Sequence, residues 1–383
     1  MVYNFDEVVE RHNTMSLKWD QEPSADVLPM WVADMDFRTA PEIVDALRRR
    51  VDHGVFGYTK PSERYYEAII NWFESRHGWK IERDHILYTI GVVPAVSAVI
   101  KALCRKGEKV LVMTPVYNCF FSSIRNNGCQ LAAAPLKYSE SDGYTIDYEA
   151  LEAQAAESDV TMLLLCNPHN PGGRVWTVDE LKRVGEICQR HGVKIVSDEI
   201  HCELTFDGHR YTPMATLFPD CITCVSPSKA FNIAGLQNAI IVCPDAEERA
   251  AIDRAININE ICDVNPLGIT AVIAAYEQGA PWLEALKSYI YENYLTVKRF
   301  LQDELPMLTM APLEGTYLLW IDITALGITS QELSDLIKRH GLHLNPGTMY
   351  GPEGEGYIRL NVACPQSLLK EGLRRIKEAV KSI

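Results

Sequence analysis

The sequence predicts an α/β fold in which a mostly parallel sheet is flanked by helices. Short runs of β-branched and aliphatic residues alternate with longer amphipathic runs through the middle of the chain, a rhythm typical of strand–helix–strand units. The segment Val160–Cys166 is almost wholly apolar, which is typical of a strand buried on both faces of a parallel sheet. At 383 residues, the chain is long enough for a large domain and a smaller one.

The elements of the larger domain follow in order along the chain. Strands are predicted at residues 86–90, 109–113, 160–166, 193–196, 221–225 and 239–242, with a helix after Tyr117. A further helix is predicted over residues 177–191. Thr177 and Glu180 have the spacing of a capping box at its start, and Gly192 follows its end as a C-terminal signal.

The rhythm changes toward the end of the chain. Helical patterns run from residue 266 to about 305, and they are followed by a strand at 316–321, a helix from Ser330, a strand at 356–361 and an amphipathic helix at 366–380. Fewer strands with fewer crossovers indicate a smaller α+β domain. We therefore expect a large domain over residues 46–285, with residues 1–45 and 286–383 forming an N-terminal arm and the small domain.

Composition excludes several classes of partner. The formal net charge is −14, and a diffuse acidic surface repels nucleic acid and anionic membranes. No apolar stretch approaches the roughly 20 residues needed to cross a bilayer. Eleven cysteines lack the spacing of a disulfide framework, and the first residues show no basic-then-apolar signal pattern. We therefore expect reduced thiols and a cytoplasmic location.

Polar residues collect where three successive strands end. They lie in residues 167–173, 198–201 and 226–229. In open α/β sheets, ligands bind outside the carboxyl ends of the strands. The three clusters are therefore predicted to face one crevice.

The chemistry of these clusters suits pyridoxal 5'-phosphate (PLP). A PLP site needs a lysine for the aldehyde, an acid for the pyridine nitrogen, a donor to the phenolic oxygen and a cradle for the phosphate. Lys229, Asp198 and Asn170 offer the first three groups in that order. Each residue type alone is common in turns and at surfaces, so the prediction depends on all three standing at strand ends.

The phosphate cradle is predicted from two segments. Ser226 and Ser228 offer hydroxyls directly before the lysine. Val92 and Val93 stand between a strand and a helix, where free backbone N–H groups attract phosphate.

These segments also resemble a known family. The run Asn-Pro-His-Asn-Pro-Gly-Gly at 167–173, with Ser-Asp-Glu-Ile-His at 197–201 and Ser-Pro-Ser-Lys-Ala-Phe-Asn at 226–232, is similar to the class I/II aminotransferase superfamily of fold-type I PLP enzymes. The similarity covers essentially the whole chain. It implies a PLP Schiff base on Lys229, with Asp198 at the pyridine nitrogen and Asn170 at the phenolic oxygen.

The resemblance implies roles for further residues. Tyr117 is expected to stack on the cofactor ring, and Tyr58 to reach the phosphate of a neighbouring subunit in a homodimer whose active sites are shared. Arg359 is expected to hold the α-carboxylate of a small amino-acid substrate, close to Asn170. A bidentate guanidinium suits that task.

Three departures from the family pattern narrow the interpretation. Gly172 stands where Thr is usual, Gln237 stands where many members carry a phosphate-binding Arg, and His201 stands where Tyr is frequent. Loss of an arginine beside a dianion weakens the cradle unless other donors compensate. The departures argue against a typical aspartate or aromatic aminotransferase, and His201 remains an expected cofactor neighbour.

The N-terminal segments are similar to a narrower group. Residues 5–20 and the run Leu-Pro-Met-Trp-Val-Ala-Asp-Met-Asp-Phe at 28–37 resemble the carbon–sulfur β-lyases of the cystathionine β-lyase subgroup, which includes the maltose-regulon modulator protein. The implied reaction cleaves cystathionine, cysteine or related S-substituted cysteines to a thiol, pyruvate and ammonia. Trp31 is expected either in the core or in the wall of the substrate site.

Other functions stay open or are disfavoured. An aminotransferase of relaxed specificity would use the same residues, and a regulatory protein could keep PLP for structure alone. A nicotinamide dehydrogenase would need a G-x-G-x-x-G run after its first strand, and a P-loop enzyme a Walker A run; neither is present. No metal is expected, because the acids and histidine at 198–203 lack a spaced third ligand.

Overall fold

The computed structural model describes residues 3–22, 24–206, 208–258 and 263–383. The strands are β1 (Leu28–Pro29), β2 (Ile86–Thr89), β3 (Lys109–Thr114), β4 (Gln130–Pro135), β5 (Lys137–Ser139), β6 (Gly143–Thr145), β7 (Val160–Cys166), β8 (Lys194–Asp198), β9 (Ile222–Val225), β10 (Ala239–Val242), β11 (Thr309–Met310), β12 (Leu318–Asp322), β13 (Leu342–His343), β14 (Asn345–Pro346) and β15 (Tyr357–Asn361). The α-helices are α1 (Leu17–Asp20), α2 (Pro41–Asp52), α3 (Glu63–His77), α4 (Val92–Leu103), α5 (Cys119–Asn126), α6 (Tyr148–Ala155), α7 (Val178–His191), α8 (Met214–Leu217), α9 (Ala246–Asn257), α10 (Pro266–Gln278), α11 (Ala280–Glu304), α12 (Ser330–Arg339) and α13 (Gln366–Lys381).

A seven-stranded sheet forms the centre of the fold. Its strand order is β2-β10-β9-β8-β7-β3-β4. Strand β10 runs antiparallel to both of its neighbours, and the pairs from β9 to β4 are parallel. The prediction of a mixed, mostly parallel sheet is confirmed.

Both faces of this sheet are buried, as the apolar composition of β7 predicts. Met162 and Leu164 point into a core shared with α4 and α5, whereas Leu163 and Leu165 point into a core shared with α6 and α7. The alternation follows from the two-residue period of a strand. Helices therefore cover the sheet on both sides and leave its strand ends open for a site.

Local sequence signals set the ends of α7. The Thr177 side chain accepts the Glu180 N–H, and the Glu180 carboxylate accepts the Thr177 N–H in return, which completes the predicted capping box. Gly192 ends the helix with φ of 68°, a conformation that costs glycine little. The helix prediction is confirmed at both ends.

A second sheet gathers the later strands in the antiparallel order β11-β12-β15-β14. The strand predicted at 316–321 begins instead at Leu318, because Thr316 has a left-handed φ of 69° and donates its N–H to Leu204. The proposed domain boundary near residue 285 falls inside α11 and remains a prediction. Among the described residues, no helix combines the length and the apolarity that a membrane crossing requires.

Candidate active site

Three parallel strands bring the predicted clusters to one edge of the large sheet. Cys166 at the end of β7 pairs with Asp198 at the end of β8, and Asp198 pairs with Cys224 of β9. A cavity of about 180 Å³ opens beside these ends. Its lining includes Ala33, Gly91, Val92, Val93, Tyr117, Asn170, Asp198, His201, Ser228, Lys229 and Asn238.

Lys229 extends its amino group toward the N-terminal part of the chain. Its Nζ donates a hydrogen bond to the carbonyl oxygen of Ala33 at 2.5 Å. Burial lowers the pKa of Lys229 to about 8, and the nearby Asp34 carboxylate opposes part of that shift. An appreciable fraction of this amine is therefore unprotonated near neutral pH and able to accept a proton.

Asp198 lies in the cavity wall as a nearly unpaired acid. It is buried, and its Oδ1 accepts the Ile200 N–H at 3.1 Å. Among the described residues, none donates a hydrogen bond to its Oδ2. Burial raises the pKa of Asp198 to about 7, so a cation in the cavity would be needed to hold this carboxylate fully ionised.

Arg359 connects three parts of the site. From β15 its Nη1 donates to Asn170 Oδ1 at 3.2 Å, and its Nη2 donates to the carbonyl of Trp31 at 2.8 Å. Its guanidinium carbon lies 4.7 Å from the centre of the Tyr350 ring. Its Nε is buried without a hydrogen-bond partner, which leaves a charged donor for a ligand.

His201 and Tyr117 supply neutral rings to the cavity. Burial, with the charges of Lys229 and Arg359, holds the pKa of His201 well below its ordinary value. The imidazole is therefore neutral, and its Nδ1 has no partner. Burial also raises the pKa of Tyr117, so this phenol keeps its proton.

The expected phosphate end of the cavity is formed by the start of α4. This helix begins at Val92 after Gly91 and runs for 12 residues. The first N–H groups of a helix lack partners within the helix, and those of Val92 and Val93 border the cavity. An anion placed there meets several donors and the positive end of the helix dipole.

The two serines before the lysine occupy different positions relative to the cavity. Ser228 lines the cavity. The Ser226 hydroxyl donates to the carbonyl of Asn238 at 2.6 Å and accepts the N–H of Ser228 at 3.1 Å. Ser226 therefore shapes the lysine loop, and its hydroxyl is already bonded within the protein.

Asn238 is a cavity residue that the sequence patterns did not identify. Its Oδ1 accepts the Tyr65 hydroxyl at 3.2 Å, while its Nδ2 is buried with no partner. It follows Gln237, whose side chain is exposed and whose position the family resemblance assigns to a phosphate-binding arginine in many members. The unpaired amide group of Asn238 is therefore next in sequence to the position at which the expected arginine is absent.

The glycine in place of the usual threonine has a steric cause. A Cβ added at Gly172 would lie 2.6 Å from Cδ2 of Tyr144 and 3.0 Å from Nδ1 of His169. Both distances are shorter than ordinary carbon contacts. The departure at position 172 therefore makes room for two neighbouring rings.

Trp31 and Tyr58 lie outside the lining of the cavity. The Trp31 ring stacks on His343 with centroids 5.0 Å apart, so its carbonyl, rather than its indole, reaches the site through Arg359. The Tyr58 side chain is 97% exposed. Within one chain, neither aromatic ring contributes to the wall described above.

Comparisons with known proteins agree with this geometry. Residues 25–376 match the family of class I and II aminotransferases. Cystathionine β-lyase PatB of Bacillus subtilis is 44% identical over 387 residues, covering 98% of this chain and 100% of that protein. Cystalysin of Treponema denticola, whose crystal structure contains a pyridoxal 5'-phosphate cofactor, has a TM-score of 0.96 at 34% identity and full coverage of both chains. A PLP-bound C–S lyase from Staphylococcus hominis has a TM-score of 0.92 at 32% identity, with 99% of each chain covered.

Proposed function

This chain belongs to the class I and II aminotransferase family, and we propose that it is a PLP-dependent carbon–sulfur β-lyase of the cystathionine β-lyase type. Its substrates would be cystathionine, cysteine or related S-substituted cysteines. One observation carries the proposal. Lys229, Asp198 and Asn170 line a single cavity, and Arg359 donates a hydrogen bond to Asn170, in a chain that is 44% identical to a cystathionine β-lyase.

The polar atoms of the cavity fit PLP. Buried polar groups without partners are uncommon in folded proteins, yet Nδ2 of Asn238, Nδ1 of His201 and Nε of Arg359 all lack one. Asp198 is an acid in need of a cation. The groups expected to hold the cofactor are Asp198 at the ring nitrogen, Asn170 and His201 at the phenolic oxygen, Tyr117 on the ring face, and Val92, Val93, Ser228 and Asn238 at the phosphate.

The residues of this chain perform the proton transfers and the orientation. When bound, PLP supplies an electron sink that stabilises negative charge at the substrate Cα. Lys229 accepts the Cα proton, and Asp198 holds a proton at the ring nitrogen. Arg359 grips the carboxylate and fixes the direction of the Cα–H bond. Expulsion of a thiol from Cβ, followed by hydrolysis, then gives pyruvate and ammonia.

A homodimer is part of the proposal. Tyr58 projects into solvent together with Val55 and Phe56, two apolar side chains that are also exposed. Contiguous exposed apolar groups are typical of an interface. In the dimer, Tyr58 would reach the phosphate held in the partner subunit. A cytoplasmic location is proposed as well, and the unpaired state of the described cysteines supports it.

The test is product formation from L-cystathionine. Purified protein with PLP and no keto acid should release pyruvate and free thiol in equal amounts. The variant Lys229→Ala should lose this turnover by a factor of at least about 10³, since both the covalent anchor and the proton acceptor are removed.

The aminotransferase alternative predicts a different result. Turnover would then be absent with L-cystathionine alone and would appear after 2-oxoglutarate is added, because the amino group needs an acceptor. That outcome would contradict the lyase proposal. It would leave the assignment of the cofactor unchanged.

A further inference from the structure

Residues 31–37, which we call the strap, pass along the rim of the cavity. Ala33 lines the cavity, and its carbonyl oxygen accepts two hydrogen bonds. One comes from Lys229 Nζ at 2.5 Å and the other from the Tyr317 hydroxyl at 2.8 Å. The amino group of Lys229 thus has an acceptor supplied by the N-terminal arm.

Two asparagines fix the backbone of the strap. Asn232, three residues after Lys229, donates to the carbonyls of Met35 and Phe37 at 3.0 and 2.9 Å and accepts the Met35 N–H at 3.0 Å. Asn361, from β15, donates to the carbonyls of residues 32 and 34 at 2.6 and 2.7 Å. The lysine loop and the small sheet therefore hold the strap between them.

A partly buried ion cluster anchors the same segment. Arg11 contacts Asp34 at 2.7 Å and Asp36 at 2.6 Å. Lys18, only 1% exposed, contacts Asp36 at 2.8 Å and Asp34 at 3.5 Å. The Trp19 indole N–H donates to Asp36 at 2.8 Å. Such clusters add little net stability because desolvation offsets attraction, but they fix geometry strictly, since any displacement leaves a charge buried without its partner.

Asp34 is the member of the cluster whose charge acts on the lysine. Its side chain is 25% exposed, whereas that of Asp36 is 3% exposed. The charged or titratable groups around Lys229 include Asp34 from the strap, Asp198 from β8, Arg359 from β15 and Cys119 from α5. His201, which lines the same cavity, is a further titratable neighbour. Burial lowers the pKa of Lys229, and among these charges that of Asp34 raises the pKa most.

We propose that the strap is a positioning element for Lys229. The ion cluster of Arg11, Lys18, Asp34 and Asp36 fixes the Ala33 carbonyl as the acceptor for the lysine amino group whenever that group is not bonded to the cofactor, and it sets one carboxylate beside the amine. An amine that donates to a fixed carbonyl is held in one orientation for proton transfer. The inference rests on the proposed function only for the role of Lys229 as proton acceptor.

The first experiment measures the effect of the Asp34 charge in full-length, cofactor-free protein. Trace labelling with acetic anhydride at a series of pH values, read by peptide mass spectrometry, gives the pKa of Lys229. The variant Asp34→Asn keeps an oxygen for Arg11 and removes the charge. We expect it to lower the pKa of Lys229 by about one pH unit. Asp26→Asn, the same change at an exposed acid of the arm, should leave that pKa unchanged.

The second experiment tests the Ala33 carbonyl without altering any charge. Tyr317→Phe removes one of the two donors that hold the carbonyl. At high pH, where the amine is fully unprotonated, the labelling rate of Lys229 should rise about fivefold. This factor corresponds to the net free energy of one hydrogen bond. Tyr138→Phe is the matched control, because the Tyr138 hydroxyl has no partner.

The outcomes separate this inference from the proposed function. If Asp34→Asn leaves the pKa of Lys229 unchanged, or Tyr317→Phe labels at the wild-type rate, the positioning role of the strap is wrong. Should Asp34→Asn fail to fold by circular dichroism, the Tyr317→Phe result alone decides. Neither measurement involves PLP or a sulfur substrate, so a chain without lyase turnover would still give a clear result.

Discussion

Two buried carboxylates near the end of β8 have opposite surroundings. Asp198 and Glu203 are each 4% exposed. Glu203 accepts hydrogen bonds from Trp72 at 2.7 Å, Arg76 at 2.9 Å and His77 at 2.8 Å. Asp198 accepts one, from the backbone of Ile200.

Their pKa values move in opposite directions for this reason. Burial acts to raise both, but at Glu203 the bond from His77 and the nearby charges of His77 and Arg76 outweigh it, so the pKa of Glu203 is lowered. At Asp198 the effect of burial is larger than the opposing effects, so the pKa is raised.

Glu199, which lies between these two acids in the sequence, shows which property decides the direction of the pKa shift. It accepts hydrogen bonds from Ser197, Asn167, Tyr211 and the N–H of Met214. Burial nevertheless raises the pKa of Glu199, because none of those donors carries a charge. A cationic partner, rather than the number of hydrogen bonds, therefore distinguishes Glu203. The charge of Lys229 acts on Asp198 but does not outweigh burial. We therefore propose that a cationic group of a molecule in the cavity pairs with Asp198, whereas Glu203 has its cationic partner within the chain.

The largest expected effect is on activity at Asp198. Asp198→Asn preserves the shape of the side chain but cannot hold a proton at the ring nitrogen. With saturating PLP, kcat for L-cystathionine cleavage should fall about 10³-fold, the upper range for loss of one electrostatic group in an active site. The pyruvate assay measures this directly.

Glu203→Gln is the control for that prediction. This variant also neutralises a buried carboxylate, yet it lies outside the cavity lining, so kcat should change less than about twofold once the protein is folded. Equal losses of activity in the two variants would remove the distinction between them.

The next effect is on stability at Glu203. Glu203→Gln removes the buried counter-charge of Arg76 and weakens the hydrogen bond with His77, and the free energy of unfolding should fall by about 3 kcal/mol. Urea unfolding followed by circular dichroism measures the change. Glu284→Gln removes the exposed partner of Arg76 and should cost less than about 0.5 kcal/mol; a similar cost in both variants would contradict the buried-pair argument.

Local patterns predicted the strand ends, and through them Asn170, Asp198 and Lys229. The reason is physical: an apolar run of strand length and the polar residue that ends it are adjacent in sequence. Asn238 has no such signal, since its role depends on Tyr65, 173 residues away. The role of Tyr58 depends on a second subunit and remains a prediction.

The N-terminal motif shows the same limit. The resemblance to the lyases rests on residues 28–37, but the sequence alone does not explain what those residues do in the fold. The strap is held by Asn232 and Asn361, which are separated from it by 195 or more residues of chain. Pairings over such distances follow from the completed fold and have no local pattern in the sequence.

The last expected effect is a pH dependence of stability that distinguishes the two acids. In cofactor-free protein, the folded pKa of Asp198 is about 7, above its ordinary value of 3.8. Between those values the folded state binds the proton more tightly than the unfolded chain does. The free energy of unfolding should therefore decrease as the pH rises from about 4 to 7, by about 1 kcal/mol per pH unit.

The two variants should remove opposite parts of this dependence. Asp198→Asn should abolish the decrease between pH 4 and 7. The folded pKa of Glu203 is instead lowered from 4.5. The stabilisation from Glu203 is therefore complete above that value and is lost as the pH falls through the folded pKa. Glu203→Gln should abolish only this loss of stability at acidic pH. Urea unfolding of each protein from pH 3 to 8 gives the difference curves. A flat difference between wild type and Asp198→Asn over pH 4 to 7 would show that Asp198 already has a cationic partner within the chain, and the comparison with Glu203 would then fail.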